Sequence, residues 1–194
     1  MTAVAERTTD ARSPRDRLAD HLPSLRAFAI SLCRNGSQAD DLVQETILKA
    51  WSNIEKFDPA TNLEAWLFTI LRNTFYSSRR KTRREVADSD GSYAATMVSA
   101  PAHDGRLAFG DFQRAFDVLS PEHREVLILV GASGYSCEEA AGMMGVAVGT
   151  VKSRANRARK RLAELMHLAD GEDLFSGTDG ATAAVMSRSV PSAA

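Results

Sequence analysis

Apolar residues recur along this chain every three or four positions, in short runs separated by turn residues, and that period predicts helices rather than strands. After a polar opening, Ser13-Pro14 is a helix-start signal, and Leu18 and Leu22 suggest a short helix. Pro23 breaks it and starts another with Leu25, Phe28, Ala29 and Leu32 on one face, ending at Asn35-Gly36. Ser37 with Asp40 predicts the cap of the next helix, which runs to about Lys56 and buries Val43, Ile47, Ala50, Trp51 and Ile54. Phe57 to Asn62 reads as a loop, and Thr61 with Glu64 as a capping box opening a long helix with Leu63, Trp66, Leu67, Ile70 and Thr74 facing inward.

Farther on, Phe112, Phe116 and Leu119 mark one helix, and Ser120-Pro121-Glu122 starts another lined by Val126, Leu127 and Val130. EVLILV also fits a buried strand, but the explicit cap and the lack of any partner strand favour a helix. The run from Gly134 to Leu165 carries the sharpest pattern. Ser136 and Glu139 form a capping box, Ala140, Ala141 and Met144 follow at helical spacing, and Gly145 supplies the sharp exit. A second helix begins near Val148, its apolar positions Val151, Ala155, Ala158, Leu162 and Leu165 stepping by four and three. Two helices meeting across one glycine turn make a helix-turn-helix.

Between these groups, the composition from Val86 to about Gly110 turns small, polar and aperiodic, too long for a loop inside one compact unit. The expected fold is therefore all-α: two small helical domains, 15–85 and 111–168, joined by a flexible linker over 86–110, with a disordered N-terminus over 1–14 and a disordered tail over 169–194.

Charge separates the faces. From Val148 to Leu165 the sole acid is Glu164, while Thr150, Lys152, Ser153, Asn156, Arg157, Arg159, Lys160 and Arg161 crowd the polar side. A solvated charged face is the ordinary explanation of such a run. On the second helix of a helix-turn-helix, the same residues suit the major groove, where Arg or Lys reads guanine and Asn reads adenine. The second half of the long first-domain helix is also basic, with Arg72, Arg79, Arg80, Lys81, Arg83 and Arg84 around Phe75 and Tyr76. Part of that suits the helix macrodipole, and aromatics among cations suit unpaired bases. Asp41, Gln44, Glu45 and Leu48 form a contiguous face that reads either as solvated or as a partner surface.

The formal net charge of −1 argues against a uniformly basic protein and leaves room for opposed patches. Cys33 and Cys137 lie in different segments, and His21, His103, His123 and His167 are scattered, so no disulfide framework or metal site is expected. GASG at Gly131 to Gly134 lacks nucleophile-elbow spacing, and there is no phosphate loop or dinucleotide fingerprint, so no catalytic residue, cofactor or small-molecule substrate is expected. No apolar run approaches a membrane span and no signal peptide opens the chain, which makes the cytoplasm the expected compartment.

DDLVQETILKAW (Asp40 to Trp51), the Trp66 helix, LSPEHREVL and GTVKSRANRARKRL, in that order, resemble an extracytoplasmic-function (ECF) sigma factor over roughly residues 15 to 166. LVGASGYSCEEAA with VAVGTVKSRANRAR is similar to the EcfG group, which directs the general stress response in alphaproteobacteria, although Cys137 and Met143-Met144 depart from its usual residues. The resemblance implies an RNA polymerase initiation subunit, not an enzyme. It implies docking on core polymerase through Asp41, Gln44, Glu45 and Leu48, with Trp51 in core by its helical phase. The Phe57–Asn62 loop would help hold a flipped base, and Asn62, Asn73, Tyr76, Arg79 and Arg80 would meet the −10 element. Thr150, Lys152, Ser153, Asn156, Arg157 and Lys160 would read a GGAAC-like −35 element. Implied partners are the bacterial polymerase core, promoter DNA and a small anti-sigma factor of the NepR type, released by a regulator of the PhyR type. A stand-alone helix-turn-helix regulator would leave the basic helix around Tyr76 without a role, and a partner-switching decoy would not need the DNA-facing residues.

Overall fold

The computed structural model describes residues 12–88 and 105–167. The expected disordered ends lie almost wholly outside these residues, as does most of the expected linker. Among the described residues all regular structure is helical, and no helix is long and apolar enough to cross a membrane.

A 3-10 turn at Leu18–His21 leads into α1 (Leu22–Cys33), followed by α2 (Gly36–Ser52), a short 3-10 turn at Ile54–Lys56, and α3 (Leu63–Asp88). The second half comprises α4 (Gly105–Val118), α5 (Pro121–Val126), a π-helical turn at Leu127–Ala132, α6 (Cys137–Met144) and α7 (Val148–Leu165). α3 and α4 thus extend into both ends of the stretch read as linker.

Local chemistry sets the boundaries. α1 ends at Arg34, whose φ of 57° is left-handed, and α2 begins one residue after the Asn35 cap, whose side chain accepts from the Gln38 amide at 3.0 Å. Asn35 takes the role expected of Ser37. Asn62 similarly displaces Thr61 as the cap of α3: its Oδ1 accepts from the Glu64 amide at 2.9 Å, while the Thr61 hydroxyl donates to the Asp58 carbonyl. Ser120 and Ser136 cap α5 and α6 as expected, the latter within a complete capping box with Glu139. EVLILV is helical, passing from α-geometry into the π-turn after Val126.

Leu25, Phe28, Ala29 and Leu32 of α1, Ala39, Leu42, Val43 and Ala50 of α2, and Leu63, Leu67, Phe68, Leu71 and Phe75 of α3 form one buried cluster. Each large side chain so buried contributes roughly 1.5–3 kcal/mol. Trp51 is not among them. It is 51% exposed, with the Arg15 guanidinium 5.2 Å from its ring, because Ala50 occupies the inward position and the next residue turns outward. Phe75, read as a candidate stacking residue, is core at 8% exposure.

The two halves share that core. Phe68 packs on Phe28 at 4.8 Å and meets the edge of Tyr135 at 6.1 Å. Around this contact the two halves cap each other's helices. Arg124, 3% exposed, donates from Nε to the Ser31 carbonyl at 2.5 Å and from an amino group to the Leu32 carbonyl at 3.0 Å, at the end of α1. Arg34 returns the bond, donating to the Asp117 carbonyl at the end of α4 at 2.7 Å. Helix C-termini leave carbonyls unsatisfied and carry partial negative charge, so a guanidinium fits both needs.

Candidate nucleic-acid interface

α6 and α7 are joined by Gly145, at φ 64°, with the Gly145 and Val146 amides closing the end of α6 onto Gly142 and Ala141 carbonyls. Val151, Ala155, Ala158 and Leu162 are all 2% exposed or less, so the opposite side of α7 is fixed outward. Lys152, Ser153, Asn156, Arg157 and Lys160 are exposed there and Thr150 is half-buried at the helix start. The arrangement presents hydroxyl, amide and cationic groups on one convex strip, the chemistry that reads base edges at its leading end and phosphates farther along. Arg157 is held along the helix, Nε donating to the Ser153 carbonyl and an amino group to the Ser153 hydroxyl, both at 3.2 Å. Lys152 lies 3.7 Å from Glu138 of α6, an exposed pair that water screens. Burial lowers the pKa of His123 on α5, and the charge of Arg157 works in the same direction.

The residues expected at an opened strand are divided between two faces of α3. Asn73 lines a cleft of about 410 Å³ between α2 and α3, together with Lys49, Asn53, Lys56, Trp66, Ile70, Thr74 and Ser77. Lys49 donates to the Thr74 hydroxyl at 3.1 Å and pairs with Glu45 at 2.7 Å, and Lys56 donates to the Asn53 amide oxygen at 2.7 Å. The cleft thus combines the apolar side chains of Trp66 and Ile70 with the cations of Lys49 and Lys56. The Phe57–Asn62 loop stands beside it, anchored by Phe57, which is buried against Trp66 at 5.3 Å. Asn62 is exposed but its side-chain oxygen is committed to capping α3. Lys49, Asn53 and Lys56 escaped the sequence reading because they come from the preceding helix and the turn after it. The seven-residue interval between Lys49 and Lys56 was the available signal.

Tyr76 turns the other way. Its hydroxyl donates to Glu125 Oε2 at 2.9 Å, and Arg72 Nε donates to Glu125 Oε1 at 2.5 Å. Arg79 and Arg80 are exposed, Arg79 over the Phe75 ring at 5.6 Å and Arg80 bonded to the Ser77 hydroxyl at 3.0 Å.

Asp41, Gln44, Glu45 and Leu48 are all exposed on one face of α2, with Leu48 at 68%. Trp51, three residues on, continues that face, so two large apolar side chains stand in water beside acids.

Against known proteins, the Sigma-70 region 2 family model matches residues 18–85 and the Sigma-70 region 4 model residues 109–162. The chain is 55% identical to the ECF RNA polymerase sigma factor EcfG of Rhodopseudomonas palustris over 90% of this chain and 95% of that one. It is 32% identical to the RNA polymerase sigma factor CarQ of Myxococcus xanthus, over 78% of this chain and 87% of that one. Its fold matches the sigma factor RpoE of Bartonella quintana, solved in complex with the anti-sigma factor NepR, at TM-score 0.71 and 52% identity, covering 79% of this chain and 96% of that one. With a sigma-70 family model over each half and these identities, the chain belongs to the ECF RNA polymerase sigma factors.

Proposed function

We propose that this chain directs core RNA polymerase to stress-response promoters, reading a GGAAC-like −35 element through α7 and an opening −10 element through α3. In this reading the first domain spans 15–85 and the second 111–168. The carrying observation is the outward strip of α7, where Lys152, Ser153, Asn156, Arg157 and Lys160 are exposed together while the alternate positions are buried. Arg and Lys suit the guanines of the element and Asn its adenines. Thr150 joins them at the helix start.

At the −10 element, Asn73 takes an unpaired base at the cleft, with Asn62 at its margin, and Arg79 and Arg80 hold strand phosphates. Tyr76 joins them once the second half moves off it. Core polymerase docks on Asp41, Gln44, Glu45 and Leu48. Likeness to the RpoE chain bound by NepR supports control by an anti-sigma factor of that type. The role belongs to the bacterial cytoplasm, with the polymerase.

The test is run-off transcription with purified core enzyme. A transcript from a GGAAC-type promoter that disappears when the element is scrambled is expected. No transcript, together with tight duplex binding by the chain alone, would instead mark a stand-alone regulator.

A further inference from the structure

Glu125 is the one fully buried carboxylate among the described residues, and its partners lie across the junction between the halves. Arg72 approaches one carboxylate oxygen and the Tyr76 hydroxyl the other, with the Arg72 guanidinium 4.9 Å from the Tyr76 ring. Glu64, Phe68, Arg72 and Tyr76 recur every four residues along α3, a single stripe. The second half covers that stripe: Tyr135 meets Phe68 and bonds to Glu64 at 3.2 Å, and Glu125 meets Arg72 and Tyr76. Meanwhile the cleft at Asn73 faces away from this stripe.

A guanidinium and a phenol converging on one oxyanion make an anion cradle, and on a basic helix that meets a DNA strand the ordinary oxyanion is a phosphate. We infer that Arg72 and Tyr76 form a phosphate site for the unpaired promoter strand, and that in the closed chain the Glu125 carboxylate occupies it as a stand-in. The inference rests on the sigma-factor reading of α3. It assigns Arg72 a DNA contact and gives the protein a self-imposed block: strand and second half compete for one cradle.

Three features fit this role. Arg79, next along α3, extends the cationic track past the cradle. Glu125 has a second cation within electrostatic reach, Arg154 of α7, so it need not be stranded when the halves part. Burial raises the carboxyl pKa, and Arg72 and the Tyr76 hydrogen bond, both across the junction, work against that rise.

The test compares Glu125→Gln and Arg72→Gln in the full chain at low salt, using small-angle X-ray scattering for compactness and a fluorescent single-stranded oligodeoxynucleotide for binding. Both substitutions remove the ion pair, so both expand the chain. Only Glu125→Gln keeps the cradle, so only it gains affinity, by about tenfold if closed chains outnumber open ones by about ten to one. Arg72→Gln gains nothing. Arg72 is partly exposed, so its variant reports on the latch even if the Glu125 variant misfolds. Unchanged compactness in Arg72→Gln overturns the latch, and equal gains in both variants overturn the shared site. Run-off transcription by the unmodified chain separates the two claims: a transcript with no gain in Glu125→Gln sinks the cradle alone, and a gain with no transcript sinks the sigma reading alone.

Discussion

The Arg157 guanidinium is folded back onto Ser153, donating to both its carbonyl and its hydroxyl at 3.2 Å. The two side chains therefore present one joined surface, with Ser153 fixing the direction from which Arg157 leaves the helix. If Arg157 reads a base, Arg157→Ala weakens promoter binding by roughly 1–3 kcal/mol and relaxes specificity at one position. Ser153→Ala, which removes the hydroxyl partner and leaves the carbonyl, gives a smaller loss. Competition binding of the assembled holoenzyme against single-base variants of the −35 element measures both. Equal losses on every variant would make Arg157 a phosphate contact instead.

Leu48 stands 68% exposed in the acidic face of α2 and contributes little to the core. Leu48→Ala should shift stability by no more than about 0.5 kcal/mol, as surface changes do. If the face docks on polymerase, the same change lowers core affinity by more than about 1 kcal/mol. Glu45→Lys, which sets a second cation beside Lys49, should weaken docking further. Co-purification with core enzyme, alongside thermal melting of the variants, separates docking from folding. Normal co-purification of both variants would return this face to the solvent.

Much of this architecture was legible in the residues. The capping box at Ser136 and the glycine at 145 bounded α6, and the four-three rhythm of α7 separated its buried side from its polar one. The face of Asp41, Gln44, Glu45 and Leu48 also emerged from spacing alone, and all four are exposed. Trp51 was misjudged because period 3.6 gives an angle and not a neighbour: Ala50 already fills the inward position. The spacing left Phe75 open between core and base stacking, because cations beside an aromatic look alike whether the ring is buried or open, and its burial places it in the core. The junction of the halves could not be read at all. Arg124 and Glu125 sit in an ordinary helical run, and their partners at Leu32 and Arg72 are 92 and 53 residues away.

Gly145 has φ 64°, and a methyl group built on it meets nothing within 4 Å. The cost of Gly145→Ala is therefore backbone conformation alone, about 1–2 kcal/mol. The loss should appear as a lower unfolding midpoint in urea with an unchanged slope, since no surface is newly exposed. Promoter binding at saturating protein should persist, because α7 keeps its packing once folded. A loss of binding with no change in midpoint would mean that the turn itself contacts DNA.

Cys33 closes α1, directly after the two carbonyls that Arg124 bonds, and burial pushes its thiol from 9.0 up to about 11, with the nearby Arg124 and Arg79 pulling it partway down. Because the thiolate is the reacting species, about two pKa units leave roughly a hundredfold less of it near neutral pH than an ordinary thiol has. In a Cys137→Ser background, where Cys33 is the sole thiol, its alkylation rate should keep climbing well above pH 9. Where the second half supplies that burial, parting the halves removes it together with the Arg124 charge. These act in opposite directions, but burial is the larger, so the titration midpoint should fall toward 9.0 in Glu125→Gln. Neutral-pH alkylation should quicken with it. A midpoint already near 9.0 in the parent chain would mean that water reaches the end of α1 and that the halves stand apart in solution. A midpoint near 11 that Glu125→Gln leaves unmoved would mean that α1 and α2 bury this thiol without help from the second half.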